Sequence, residues 1–401
     1  MIVQQPITGV DDRKETPPDA AISKPRICFI DNLRWTMIIL VISMHAADTY
    51  SPLGSWYYTD RQPLSRASLL TFAAWQMYLQ AFFMGLLFFI AGYFVPSAYD
   101  RRGPSLFVRD RAIRLGLPVL FYMFVLGPLT EYFCSKSWTS TEPTSFGNEW
   151  LKHIRNGEFL QENGPLWFCL ALLIFSIVYA VWRSLRATHA RSPTNTQPPT
   201  TLQLIGLAVL MAIVTFAVRL LVPQGAAVLN LHLGDFPQYV LMFCAGIFAA
   251  RGRRTLALDE SAATHWLVTV LPIGFVIWLI VLLKGGATAG NSDAYAGGWH
   301  WQAASMNAWE SFTCIAMSYG LLAIFKTRFN TQGPVARFLA DNAFSVYVFH
   351  PPIVVMTARV LHGVAWPALP KFVALTCLSA VASFVLSAAV FRRIPALRRI
   401  L

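Results

Sequence analysis

Long apolar runs alternate with short polar segments along almost the whole chain. Ten runs lie at about 27–48, 69–96, 110–132, 164–183, 202–222, 236–250, 265–284, 308–325, 339–360 and 371–391. Most reach the roughly 20 residues that a helix needs to cross a bilayer. Asn163 to Trp182 and Phe372 to Phe391 hold no charged residue and are the clearest. The sixth run is short, and the eighth carries Glu310 at its start. The pattern predicts an all-α, polytopic membrane protein with about ten transmembrane helices.

Basic residues set the expected orientation, because Lys and Arg accumulate in cytosolic loops. With the N-terminus inside, 22 of the 32 Lys and Arg residues fall in inner segments and 8 in outer ones, while Arg34 and Arg219 lie within runs. The chain is therefore expected to be N-in and C-in. Residues 1–26 are polar and lack the apolar core of a signal peptide, so a disordered cytosolic tail is expected there. Residues 27–391 form the expected membrane domain, and 392–401 a basic cytosolic tail. No internal repeat is visible, which weighs against an inverted-repeat transporter.

Composition narrows the classes further. Hydrophobic residues make up 55% of the 401 and charged residues only 13%, about half of what a soluble domain carries. The net charge of +12 belongs to loops between apolar runs, so no nucleic-acid partner is expected. The six cysteines have no close spacing, so neither a metal centre nor a disulfide framework is expected from them.

Ionisable groups inside a span are costly and are functional candidates by default. The first run holds Arg34 and His45, eleven residues apart. Eleven residues are about three helical turns, so both lie on one face, separated by a rise of about 16 Å. Asp31 and Asp48 fall near the same stripe. Taken singly, the arginine can snorkel to the interface and the histidine can satisfy a carbonyl. In the third run, Arg111 and Arg114 stand at i and i+3 near the cytosolic end. Their planar guanidinium forks suit phosphate, although on charge alone positive-inside anchoring is the stronger explanation. Further candidates are Glu131, Asp235, Glu310 and His350. Pro351 and Pro352 follow His350, so a kink with freed carbonyls is expected there. Trp138, Trp150, Trp299 and Trp301 in outer segments suit either sugar stacking or an aromatic belt.

Taken together, these residues resemble the integral-membrane acyltransferases of acyltransferase family 3. Arg34 and His45 match its Arg-x10-His signature, and Arg111-Ala-Ile-Arg114 matches its R-x-x-R motif. Gly164-Pro-Leu-Trp167-Phe168 and Ser345-Val-Tyr347-Val-Phe-His350-Pro351 match two further blocks. The segment Gly234 to Gly246 is similar to the glucan-modifying succinyltransferase branch. Ala91 and Trp35 depart from common family residues.

The resemblance implies transfer of an acyl group from cytosolic acyl-CoA to a hydroxyl of a sugar, glycan or related acceptor. Arg34, Arg111 and Arg114 would hold the donor. His45 would act as general base or acyl carrier, oriented by Asp48, with Asp31, Glu131, Trp167, Glu310 and His350 in support. No bound cofactor or metal is implied; acyl-CoA is a co-substrate. The expected location is the bacterial inner membrane. A transporter or flippase for an anionic solute or glycolipid is the main rival reading, and an inactive scaffold the third.

Overall fold

In a computed structural model, residues 26–54, 56–134, 145–186, 197–252, 256–287 and 290–398 are described. The expected tail at 1–25 and Trp138 lie outside them. Among the described residues, ten helices are long and apolar enough to span a membrane. We label them with the one amphipathic helix between them: α1 Cys28–Tyr50, α2 Arg66–Arg102, α3 Pro104–Cys134, α4 Phe146–Arg155, α5 Gly164–Leu185, α6 Thr201–Arg219, α7 Leu233–Gly252, α8 Glu260–Lys284, α9 Trp301–Arg328, α10 Pro334–His362 and α11 Ala368–Arg393. All ten apolar runs become helices, in order. An even number of crossings puts the start of α1 and the end of α11 on one side.

The helices outrun the apolar stretches that announce them. Helix α2 has 37 residues, about 55 Å at 1.5 Å per residue against a hydrocarbon core of about 30 Å. Hydropathy sees only the part in lipid, whereas backbone hydrogen bonds continue the helix into polar sequence. The eighth span likewise begins at Trp301, so Glu310 sits more than two turns inside it and not at its start. The last span ends in a short turn, Phe391–Arg393, and a short helix, Pro395–Arg398, follows it.

Helix α1 runs through the middle of the bundle, packed on α2, α9, α10 and α11. Its Leu33, Met37, Ile42, Ala46 and Ala47 are fully buried. Helices α6 and α8 lie at the periphery and turn residues such as Ile213 and Val268 outward, as lipid-facing positions require. Helices α2 and α7 pack with their backbones in close approach. A methyl group on Gly92 would meet the Phe243 carbonyl, and one on Gly246 would meet the Phe89 carbonyl. Small residues let two backbones approach this closely.

A two-stranded hairpin, β1 Ala227–Val228 and β2 Leu231–His232, is the only sheet among the described residues. Leu229 and Asn230 turn it with φ of 52° and 57°, the left-handed pair that a two-residue hairpin needs. Its turn clips onto the start of α5. Asn163 Nδ2 donates to Leu229 O at 2.7 Å, and Asn230 Nδ2 donates to Gly164 O at 3.0 Å.

Candidate functional site

His45 lies in the last two turns of α1 and is only partly buried. Its Nδ1 is 3.5 Å from Asp48 Oδ2. The other Asp48 oxygen accepts from Gln76 Nε2 of α2 at 2.7 Å. The i, i+3 spacing on one helix brings the pair together, and the amide from α2 fixes the carboxylate. Sequence reasoning passed over Gln76, although an amide inside an apolar run was a visible signal.

Two further rings stack on the His45 imidazole. Trp56 lies at 3.6 Å between centroids and His350 at 5.4 Å, both tilted by 14°. Trp56 belongs to the loop between α1 and α2. That loop is pinned at Asp60, whose carboxylate meets Lys371 and His362 at 3.1 Å each and whose backbone N–H donates to Thr49 O. An aromatic residue in an outer loop carries no sequence signal of such a contact, and Trp56 was missed.

His350 is fully buried in α10, which stays one continuous helix through Pro351 and Pro352. Pro351 has no N–H to give to the carbonyl four residues back, that of Tyr347. His350 Nδ1 takes this vacated acceptor at 2.8 Å. A carbonyl only accepts, so Nδ1 carries the proton, and Nε2 of the neutral ring is an acceptor. Nε2 has no hydrogen-bond partner among the described residues. The freed carbonyl expected from the sequence is therefore present, and the histidine itself satisfies it.

The other end of the site is a cavity of about 370 Å³, within the range of small-molecule pockets. Arg34, Arg111 and Arg114 line it with Ile38, Phe168 and Tyr347. Its arginines come from α1 and α3, and its apolar wall from α2, α5 and α10. Tyr347 is one helical turn from His350, with ring centroids 6.1 Å apart. The Tyr347 hydroxyl donates to the Pro165 carbonyl, so the Gly164-Pro165 block fixes this wall.

The three arginines are not equivalent. Arg34 lies 3.5 Å from Asp31, and Arg114 lies 3.2 Å from Asp110. Arg111 is half-buried and forms no ion pair within 4 Å among the described residues, and its Nε has no hydrogen-bond partner. Helix α3 also departs from the plain i, i+3 geometry expected, because Ala112–Gly116 and Tyr122–Leu126 are π turns. A π bulge re-aims the side chains around it and often marks a functional segment.

The remaining candidates divide between this site and other places. Asp31 stays beside Arg34. Trp167 packs on Tyr239 and Phe88 beside the Phe168 wall. Glu310 does not join His45. It takes Arg219 at 2.8 Å, in a buried cluster where Arg219 also holds Asp235 at 2.6 Å and bonds to Asn307. Glu131 stands at the outer end of α3, 3.3 Å from His153. A hydrogen bond from Tyr57 to Glu162 at 3.0 Å links Trp56's neighbour to the chain just before α5. Burial, and then the nearby charge of Glu131, push the Glu162 carboxyl up to about 7. Burial likewise raises the Tyr57 hydroxyl well above its ordinary value.

Such an arrangement offers an arginine-lined cavity with apolar walls and, beyond it, an imidazole beside a carboxylate. A family model for an acyltransferase domain, of acyltransferase family 3, matches residues 28–388. No curated protein and no solved structure matches the chain.

Proposed function

The chain belongs to acyltransferase family 3 and is a multi-pass membrane acyltransferase; from that premise we propose that it moves an acyl group from acyl-CoA to a hydroxyl of a sugar, glycan or related acceptor. The observation that carries the reading is the continuity of one cavity from Arg34, Arg111 and Arg114 to Tyr347, one turn from the His45–His350 stack. Acyl-CoA is made in the cytosol, and the excess of basic residues places the arginine end there. Its phosphates meet the guanidinium groups, and the extended pantetheine arm follows the rise of about 16 Å from Arg34 to His45.

His45 then acts as general base. The acceptor hydroxyl gives its proton to the imidazole, and its oxygen bonds to the thioester carbonyl carbon. The C–S bond breaks, and the CoA sulfur leaves as thiolate and takes a proton. Asp48 stands beside the ring on the same helix and would orient it, the part a carboxylate plays beside a catalytic imidazole. An acyl-imidazole at His45 is the alternative route, and the Asp48 carboxylate at 3.5 Å supports the base role over it. Residence in a bacterial inner membrane is part of the same proposal, since a donor made in the cytosol would reach the arginine end there.

The test is acyl transfer from radiolabelled acyl-CoA to extracted glycans in proteoliposomes. The expected result is transfer by the intact protein and loss in His45→Ala. Equal transfer by the variant overturns the reading, and solute movement without acyl-CoA consumption favours transport instead.

A further inference from the structure

At the opposite end of the bundle from the arginines, three elements converge on one point. Glu131 ends α3, His153 lies on α4, and Glu158 opens the turn that follows. Their ligand atoms lie within 4.8 Å of one another. His153 Nδ1 is 3.3 Å from Glu131 Oε2 and 3.4 Å from Glu158 Oε2. The second Glu158 oxygen is held by Asn156 Nδ2 at 2.8 Å, which leaves Oε2 turned to the histidine.

His153 supplies the independent observation. Its residue is 2% exposed, and neither ring nitrogen has a hydrogen-bond partner among the described residues. A buried imidazole with both nitrogens idle forfeits the hydrogen bonds it would have in water. The carboxylates beside it are acceptors only and repel one another. A divalent cation would take the Nδ1 lone pair and neutralise the two facing oxygens, leaving only Nε2 without a partner.

We propose that Glu131, His153 and Glu158 bind a divalent cation of the zinc class, with an open fourth position for water. Zinc takes nitrogen at about 2.0–2.1 Å and carboxylate oxygen at about 2.0–2.2 Å, usually tetrahedrally, so its ligand atoms stand about 3.4 Å apart. The two measured edges match that spacing. One imidazole and two carboxylates also suit borderline zinc better than oxygen-seeking magnesium or calcium. The spacing of 22 and 5 residues along the chain has no motif, so a reading from cysteines alone gave no metal.

The site would fasten α4 and the following turn to α3. Glu162, whose carboxyl feels the charge of Glu131, accepts from Tyr57, next to Trp56. The cation would therefore brace the outer cap over the site without touching the reacting groups.

The experiment uses the full chain without a polyhistidine tag, in nanodiscs, stripped with a chelator and titrated with cobalt and zinc. Expected are one saturable cobalt site with the visible absorption of tetrahedral coordination, its displacement by zinc, and a rise in Tm with zinc. His153→Ala should abolish the site, and Glu158→Gln should weaken it at least about tenfold. Glu158 is partly exposed, so its variant decides the matter if His153→Ala does not fold. Absence of saturable binding, or binding unchanged in Glu158→Gln, overturns the proposal. None of these readouts depends on acyl transfer, so their failure is separate from failure of the enzymatic reading.

Discussion

The imidazole of His45 lies flat against the indole of Trp56, with ring centroids 3.6 Å apart and planes 14° apart. An indole face attracts a cation, by about 0.5–1 kcal/mol when exposed and about 2 kcal/mol when desolvated. Under the proposed mechanism, a proton transferred to His45 would meet the indole face of Trp56. Trp56→Ala should lower kcat about five- to thirty-fold, the equivalent of about 1–2 kcal/mol. Trp56→Phe should keep most of the rate, because a ring face remains. Steady-state transfer at saturating acyl-CoA measures both, and an unchanged kcat in Trp56→Ala would remove the indole from the site.

Asp48 is fixed by Gln76 as well as placed beside His45. Asp48→Asn keeps the volume and removes the charge, so kcat should fall at least about tenfold with little change in Tm. Gln76→Leu should lower kcat less, since Asp48 stays near the ring on its own helix. Equal losses in both would mean that the amide, and not the charge, sets the geometry.

The arginines predict a graded effect on donor binding. Arg111 has no carboxylate partner within 4 Å among the described residues, whereas Asp110 already holds Arg114. A hydrogen bond to a charged group is worth about 1.5–3 kcal/mol. Arg111→Ala should therefore raise KM for acyl-CoA at least about tenfold and Arg114→Ala less, with kcat nearly constant. Acyl-CoA concentration series on the two variants give the comparison directly.

Arg219 should matter for stability instead. It neutralises Asp235 and Glu310 in the interior and bonds to Asn307 and the Gly234 carbonyl. Arg219→Met leaves two buried carboxylates without a counter-charge, a loss of about 3–5 kcal/mol. Thermal unfolding in detergent should show a marked fall in Tm. Adding Asp235→Asn should restore part of it, which a purely steric role for Arg219 would not allow.

Gly246 should tolerate no side chain. A methyl there would meet the Phe89 carbonyl of α2, and backbone cannot move aside as a side chain tip can. Gly246→Val should force α7 away from α2 and lower yield and Tm, while Gly252→Ala, in open space, should change neither. Fluorescence-detected size-exclusion profiles of the two variants separate these outcomes.

The ten spans were legible in the sequence because lipid demands apolar residues and satisfied backbone groups, and a helix alone supplies both within one segment. The Arg34 to His45 stripe and the Asp48 neighbour were legible for the same reason: helical periodicity fixes positions within one element. The freed carbonyl at Tyr347 followed from Pro351 lacking an N–H. Contacts between elements were another matter. Nothing in the order of residues says that Trp56 folds back on His45, that Gln76 reaches Asp48, or that Glu310 turns to Arg219 and away from the histidine. The π turns that re-aim α3 around Arg111 also escape a reading built on 3.6 residues per turn. Hydropathy and periodicity are properties of a segment in its solvent, and the sequence carries them alone. Which polar groups meet inside the bundle depends on how ten helices pack, and only the tertiary structure decides that.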